Sequence, residues 1–212
     1  AAVFVLLGLV TGIALVTSRR RNPVATVSVR AKVSVGGAAL APAQSEAPVQ
    51  AGRGTSLGWY ATAFQVIALL LLTAYMAIRM SLTGHGPFAN QHEFAVAFTW
   101  GILLVNLFFG LRYRIRMLSL VVLPVAAATL VYALSLDTGV RPLIPALQNN
   151  LLLTLHVGFA IIAYGAACVS FGAAVLYLLH PHITRVHLPR QEVLDDVGYR
   201  AAVITFPLLT IM

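Results

Sequence analysis

Residues 150–179 read NLLLTLHVGFAIIAYGAACVSFGAAVLYLL, a long run with no acidic or basic side chain. Crossing the hydrocarbon core of a bilayer, about 30 Å thick, takes roughly 20 apolar residues in a helix. This run is therefore long enough to span a membrane. It also holds one histidine, His156, near its start, where a ligand could bind next to an apolar surface.

The rest of the chain shares this apolar character. Of its 212 residues, 59% are hydrophobic and only 9% are charged. A soluble domain has about 25% charged residues, and a disordered chain combines low hydrophobicity with high charge, so both classes are excluded. The composition predicts an integral membrane protein.

The apolar runs predict an all-α fold, a polytopic membrane helix bundle of about six transmembrane helices. The first and last are expected to be incomplete, because the sequence starts and stops inside apolar runs. Three parts are expected: an N-terminal anchor (1–16), a flexible basic cytoplasmic loop rich in Gly and Pro (17–58), and the transmembrane bundle (59–212). Within the bundle the predicted spans are residues 59–77, 94–111, 118–136, 150–179 and a last one from about Val197.

The formal net charge of +8 is distributed over the connections between the spans. Basic residues concentrate in loops 17–58, 112–116 and 180–196, whereas the alternate loops hold only Arg79 and Arg141. Loops rich in Lys and Arg stay in the cytoplasm, so loops 78–93 and 137–149 are predicted to lie outside. Because these charges do not form one basic patch, no nucleic-acid partner is expected.

One outward segment, GHGPFANQHEF at residues 84–94, leads into the third span. Asn90 is predicted to cap that helix, with Glu93 reaching back as in a capping box. The cap explains Asn90 and Glu93, but it requires neither His85 nor His92. Those two histidines are weak ligand candidates, and an ordinary helix start is the competing interpretation.

His156 is the strongest candidate for a ligand. A neutral imidazole is a common metal ligand and the usual axial ligand of haem iron. Haem also needs an apolar platform and basic groups for its carboxylates, and Arg141 lies on the correct side to pair with a propionate. The competing interpretations are a hydrogen-bonded interfacial histidine and a solvated loop arginine.

Other polar and small residues have structural interpretations. Gly158, Gly165 and Gly172 recur every seven residues, which predicts a stripe where another helix approaches closely. Tyr164 and Ser170 are expected to bond across helices. The lone cysteine, Cys168, is expected to be a small core residue.

The loop from 180 to 196 holds several histidines and acidic residues. The histidines could hold a metal, but they lack helical spacing and a nearby cysteine, so a solvated loop is favoured. An acidic side chain is expected to cap the sixth helix. The histidines are His180, His182 and His187, and the candidate caps are Asp195 and Asp196.

Three motifs, in order along the chain, carry a family resemblance. Residues 84–94 are similar to G-H-x-P-x-x-N-x-Y-E-F, with His92 in place of Tyr, and residues 142–164 to P-L-x-P-A-L-Q followed by L-x-x-H-V and A-Y. Residues 194–209 are similar to L-D-D-x-x-Y-R followed by F-P-L-L. From about residue 58 onward the chain resembles the CcsA (ResC) type of cytochrome c biogenesis membrane protein.

The resemblance implies a protein that handles haem b at the outer face of a bacterial plasma membrane or a thylakoid membrane. It implies presentation of that haem for covalent attachment to apocytochrome c, together with a CcsB (ResB) type membrane partner. By its L-H-V context His156 matches the first of two axial histidines, and the second is expected after Met212 with a Trp-rich segment. Whether the chain is an enzyme stays open, since the thioether chemistry belongs to haem and apocytochrome.

Two other functions stay open, a small-molecule transporter and a structural membrane subunit. The spans contain no acidic residue near their middle and no evident inverted repeat, which argues against a transporter. A structural subunit would need no histidine at the outer interface, so His156 distinguishes the haem-handling function from a structural one.

Overall fold

A computed structural model describes residues 2–21, 54–139, 150–181 and 188–212. These residues form six helices and no strand. In chain order the helices are α1 (Ala2–Arg21), α2 (Gly54–Thr83), α3 (Gln91–Tyr113), α4 (Leu118–Leu134), α5 (Asn150–Leu179) and α6 (Gln191–Ile211). The all-α bundle predicted from the apolar runs is confirmed.

Three of these helical segments are long and apolar enough to cross a membrane: Trp59–Thr83, Gln91–Tyr113 and Leu151–Leu179. Two shorter apolar helical segments, Val5–Ala14 and Leu118–Leu134, accompany them. The three long segments meet the length and hydropathy required to span a hydrocarbon core, so the chain is a membrane protein.

The helices extend further than the apolar runs at several ends. α1 continues to Arg21 and α2 begins at Gly54, so both ends of the predicted loop 17–58 are helical, and residues 22–53 lie outside the described part. α6 begins at Gln191, well before Val197, and no side chain caps it at Arg190. The prediction that Asp195 or Asp196 caps α6 is therefore wrong.

Asp196 instead lies inside α6, where it pairs with Arg200 at 2.8 Å. The two residues are one helical turn apart, a spacing at which opposite charges support a helix. Hydropathy alone placed the start of α6 too late, because this turn is helical but charged.

α3 lies at the centre of the bundle, where it packs against α2, α4 and α5. α5 also packs against α4 and α6, and α1 covers α2 and α4. Thr99 on α3 and Thr129 on α4 share a hydrogen bond of 2.8 Å. Thr205 on α6 donates to the Ala163 carbonyl of α5 at 3.3 Å.

Helices α3 and α5 approach each other closely at two glycines. A Cβ added to Gly165 would lie 2.7 Å from the backbone oxygen of Gly101, closer than real side chains approach. A Cβ added to Gly172 would lie 2.9 Å from Val122 of α4, whereas one added to Gly158 would meet nothing within 4 Å. The predicted glycine stripe is thus confirmed at two of its three positions.

The predictions for Ser170 and Cys168 are confirmed, whereas Tyr164 makes a ring contact across helices. Ser170 donates to the Gly198 carbonyl of α6 at 3.0 Å, as predicted for a bond across helices. Tyr164 is half exposed and meets Phe98 of α3 through an edge-to-face ring contact with centroids 5.3 Å apart. Cys168 is partly buried and packs against the core, as predicted.

Candidate functional site

The bundle has two polar ends. At one end, called here the histidine end, lie His85, His92 and His156. At the other end, called here the arginine end, Arg114, Arg116 and Arg190 surround one cavity. The predicted outer loop 78–93 lies at the histidine end, and the assignment of each end to a compartment stays a prediction.

His156 lies in the second turn of α5 with its side chain exposed. Its Nδ1 contacts the backbone carbonyl oxygen of Met212, so the end of α6 lies beside it. A carbonyl oxygen can only accept a hydrogen bond, and Nδ1 therefore carries the proton of the neutral ring. This leaves the lone pair of Nε2 exposed, with no hydrogen bond to any described residue.

His85 shows the same pattern in the segment between α2 and α3. Gly84, at φ +71°, takes the left-handed conformation that turns the chain away from α2. His85 Nδ1 donates to the Gly86 carbonyl at 2.8 Å, so its Nε2 also has a lone pair that no described residue uses. The side chain is partly buried.

The segment that carries His85 packs on the first turns of α5. A Cβ on Gly86 would lie 3.1 Å from Oγ1 of Thr154, two residues before His156. Phe88, only 5% exposed, lies in an apolar cluster with Leu153 and Val157 of α5. The structure therefore places His85 and His156 at the same end of the bundle, on two segments that pack against each other.

His92 has a different environment. It is buried, and its Nε2 lies 2.8 Å from the Tyr75 hydroxyl while its Nδ1 lies 2.7 Å from the Ala133 carbonyl. Since the carbonyl must accept, Nδ1 is the donor, and Nε2 of the neutral ring accepts from Tyr75. Both nitrogens are used to join α3 to α2 and α4, which agrees with a polar replacement rather than a ligand.

Beside His92, the partly buried Arg79 and the buried Glu93 form an ion pair that no sequence pattern predicts. Arg79 Nε lies 2.5 Å from Glu93 Oε1, and the two side chains are 11% and 1% exposed. Glu93 Oε2 also accepts from the backbone N–H of Ala89 at 2.6 Å. The available signal was one arginine at the end of an apolar span and one glutamate at the start of the next.

The predicted cap of α3 is confirmed, with one difference. Asn90 accepts from the backbone N–H of Glu93 at 2.8 Å. Glu93 reaches back as predicted, but to Ala89 rather than to the cap residue itself. Its other oxygen is held by Arg79, so the carboxylate joins the cap to α2.

Arg79 and Asn90 also bind the chain just after α4. Arg79 Nη2 donates to the carbonyls of Thr138 and Gly139 at 3.0 and 3.2 Å. Asn90 Nδ2 donates to the Gly139 carbonyl at 3.0 Å. Residues 140–149 follow directly, and the predicted propionate partner Arg141 lies among them, outside the described residues.

Of the three histidines in the loop 180–196, the structure describes only His180, so a metal site formed by them stays untested. No group of three or more His, Cys, Asp or Glu residues within the described part of the chain is arranged to hold a metal ion. His180 ends α5 at its far end, and His182 and His187 lie outside the described residues.

Comparison with known proteins supplies the family. A family model described as "Cytochrome C assembly protein" matches residues 88–212. The chain is also similar to curated proteins named "Cytochrome c biogenesis protein CcsA": one from Guillardia theta is 25% identical over 173 residues, 69% of this chain and 57% of that protein. One from Gloeobacter violaceus is 30% identical over 142 residues, 59% of this chain and 42% of that protein.

A third such protein, from Nostoc punctiforme, is 30% identical over 144 residues, 66% of this chain and 40% of that protein. The chain thus spans about two fifths to three fifths of the length of these relatives. No solved structure matches it. Because the family model covers more than half of the chain, including Glu93, His156 and the whole of α6, the chain belongs to the cytochrome c assembly protein family.

Proposed function

We propose that this chain is the part of a cytochrome c assembly protein that holds haem at the histidine end of the bundle. His156 supplies an axial imidazole to haem b, which is the substrate that the protein presents to apocytochrome c. A CcsB-type membrane protein acts with it, and the histidine end faces outward from a bacterial plasma membrane or a thylakoid membrane.

The observation that carries this proposal is the state of the His156 ring. Histidines that bind metals usually donate their other ring N–H to a carbonyl or carboxylate, which fixes the tautomer and the ring orientation. His156 has this arrangement, with Nδ1 against the Met212 carbonyl and Nε2 exposed. The donor chemistry therefore fits an iron ligand.

The surroundings of His156 also fit a flat, apolar molecule. Leu151, Leu152 and Leu155 are exposed on the same helical turns. Such side chains form an apolar surface on which a macrocycle can lie. Arg141, which lies outside the described residues, stays our candidate partner for a propionate. His85, which has the same free Nε2, is a further candidate ligand next to His156.

Haem supplies the iron and the vinyl groups for thioether formation, and this chain's residues bind and orient it. His156 would hold the iron, and the exposed leucines of the same turns of α5 would exclude water from it. Ligation through this imidazole would leave the vinyl groups available to a thiol pair on the apocytochrome.

The test is to express the protein from its complete gene with His156→Ala and with His180→Ala as the matched control. His180 lies at the opposite end of the same helix, so its replacement tests for general damage to α5. We expect the Soret band and cytochrome c maturation to be lost in the first variant and kept in the second. Added imidazole should restore part of the band to His156→Ala, because it replaces the missing ligand.

The proposal is overturned if His156→Ala keeps the haem content and the maturation activity of the wild type. Equal losses in both variants would also contradict it, since those would reflect α5 rather than the ligand. A lipid-facing or purely structural role for the bundle would give no change in the Soret band of either variant.

A further inference from the structure

A second polar site lies at the arginine end, away from the histidines. A cavity of about 1040 Å³ opens there between α1, α2, α3, α4 and the chain that enters α6. Its floor is polar, its walls are largely apolar, and its mouth is basic. The haem-handling role proposed above involves none of these residues.

The floor consists of Gln65, Asn106 and Ser119, one residue from each of α2, α3 and α4. Asn106 is fully buried, and its Nδ2 donates to Gln65 Oε1 and to Ser119 Oγ, each at 3.0 Å. Gln65 Nε2 donates to the same Ser119 hydroxyl at 3.3 Å. Gln65 and Ser119 therefore accept hydrogen bonds from the Asn106 amide nitrogen, and neither of them donates to the Asn106 amide oxygen.

Asn106 Oδ1 is left without a hydrogen-bond partner, the one such buried side-chain atom among the described residues. A buried acceptor without a donor is costly, and native proteins rarely leave one. Asn106 lines the cavity, so a donor on a bound molecule would satisfy this oxygen after a small rotation of the amide, whose oxygen is itself buried. The floor thus selects for a ligand with a hydroxyl or another hydrogen-bond donor.

The walls favour an apolar chain. Leucines from α3 and α4 line one side, and the small residues Gly8, Gly12 and Ala61 line the other. The small residues bring no polar group to this wall, and Gly8 and Gly12 pack directly against Leu123 and Leu120. The lining leucines are Leu107, Leu111, Leu120 and Leu123.

The mouth carries Arg114, Arg116 and Arg190, all exposed and none paired with an acidic residue in the described ranges. Arg114 adopts a left-handed backbone, φ 55°, which ends α3 and turns the chain into the segment that carries Arg116. A planar guanidinium forms paired hydrogen bonds to phosphate oxygens. Basic pockets between membrane helices are known sites for anionic lipid head groups.

We propose that this cavity binds one anionic phospholipid whose head group carries a hydroxyl, with phosphatidylglycerol as the simplest case. The arginines bind the phosphate, the head-group hydroxyl donates to Asn106 Oδ1, and one acyl chain lies along the leucines. The inference is independent of the haem proposal, since it involves the opposite end of the bundle.

The experiment is native mass spectrometry of the complete protein, released from detergent and titrated with defined lipids. Phosphatidylglycerol is compared with phosphatidic acid, which has the phosphate but no head-group hydroxyl, and with zwitterionic phosphatidylcholine. We expect one phosphatidylglycerol per protein, bound more tightly than either of the others. Inorganic phosphate, added as a competitor, should not displace it, because phosphate alone lacks the acyl chain.

Two variants test the two polar contacts separately. Neutralising the mouth with Arg114→Gln, Arg116→Gln and Arg190→Gln together should weaken phosphatidylglycerol binding roughly 10- to 100-fold, since each arginine contributes to the attraction of the phosphate. Asn106→Leu should reduce phosphatidylglycerol affinity to that of phosphatidic acid. The matched control is Arg112→Gln, an exposed arginine at the same end that does not line the cavity.

Three results would overturn the proposal. Equal affinity for phosphatidylglycerol and phosphatidylcholine would mean that the cavity does not select an anionic phospholipid. An equal loss in Arg112→Gln would mean that general surface charge, rather than the cavity, attracts the lipid. The triple arginine variant alters only exposed side chains and should fold. Unchanged lipid binding in this variant would overturn the proposal, even if Asn106→Leu failed to fold.

Discussion

The Arg79 guanidinium and the Glu93 carboxylate lie 2.5 Å apart, with the carboxylate side chain 1% exposed, at the point where α2 and α3 meet. Around this pair, hydrogen bonds join the α3 cap and the connection that follows α4. The segment that carries His85 starts at Gly84, five residues after Arg79, and ends at this network. The pair therefore fixes the framework on which the histidine end is built.

Replacing Glu93 by Gln should be strongly destabilising. The amide would keep the size of the side chain but would leave Arg79 with no counter-charge in a buried position. Removing one member of a buried pair typically costs about 3–5 kcal/mol. The measurement is thermal or denaturant unfolding of the purified protein in detergent.

The control for that variant is Asp196→Asn, which breaks the exposed pair with Arg200 on α6. Exposed pairs of this spacing contribute about 0.3–0.5 kcal/mol, so little change is expected. If Glu93→Gln is as mild as Asp196→Asn, the Arg79–Glu93 pair is not important for stability.

Substitutions of Asn90 should separate its two bonds. Asn90→Ala removes both the cap of α3 and the bond to the Gly139 carbonyl, and loss of a cap alone costs about 1 kcal/mol. Asn90→Asp keeps an oxygen for the cap but loses the N–H that binds Gly139. We expect the Asp variant to unfold at a temperature between those of the wild type and the Ala variant; equal values for Ala and Asp would assign the whole effect to the Gly139 bond.

His92→Ala should reduce stability without removing haem from the folded protein. It removes the hydrogen bonds to the Tyr75 hydroxyl and the Ala133 carbonyl, each of which contributes about 0.5–1.5 kcal/mol net, since both groups keep a second partner. The Soret absorbance per folded molecule should equal that of the wild type, in contrast to His156→Ala. A fall in that ratio with stability unchanged would identify His92 as a ligand instead.

Two glycines of α5 provide a matched pair for the helix packing. Gly165→Ala places a methyl group 2.7 Å from the Gly101 backbone oxygen, and overpacking of this kind costs typically about 1–3 kcal/mol. Gly158→Ala adds the same methyl group where nothing lies within 4 Å, so it should be neutral or stabilising, by up to about 1 kcal/mol through helix propensity. Unfolding of both variants under the same conditions measures the difference, and a reversed order would contradict the packing described here.

The sequence was most informative where structure is local. The long uncharged run 150–179 corresponds to α5 at both ends, because hydropathy and helix coincide there. The predicted start of α6 was too late, because its first turns carry Glu192, Asp195 and Asp196. Hydropathy indicates which residues can lie in a membrane, and a helix can begin before them. The Asn90 cap was predictable because its partner lies three residues away.

Contacts between distant segments were not predictable in the same way. Arg79 was interpreted as a loop charge, although it meets a carboxylate on the next helix. The partners of His92 come from α2 and α4, and no spacing in the sequence indicates them. Gln65, Asn106 and Ser119 likewise come from three helices and meet only once the bundle is packed.

The contact between α3 and α5 has a consequence for traffic across the membrane. At Gly101 and Gly165 the two backbones approach so closely that neither residue has room for even a methyl group. No molecule the size of a porphyrin can pass between these helices without separating them completely. Any path for haem through this bundle would have to run around the α3–α5 crossing, along the faces that α3 shares with α2 or α4, or outside the chain altogether.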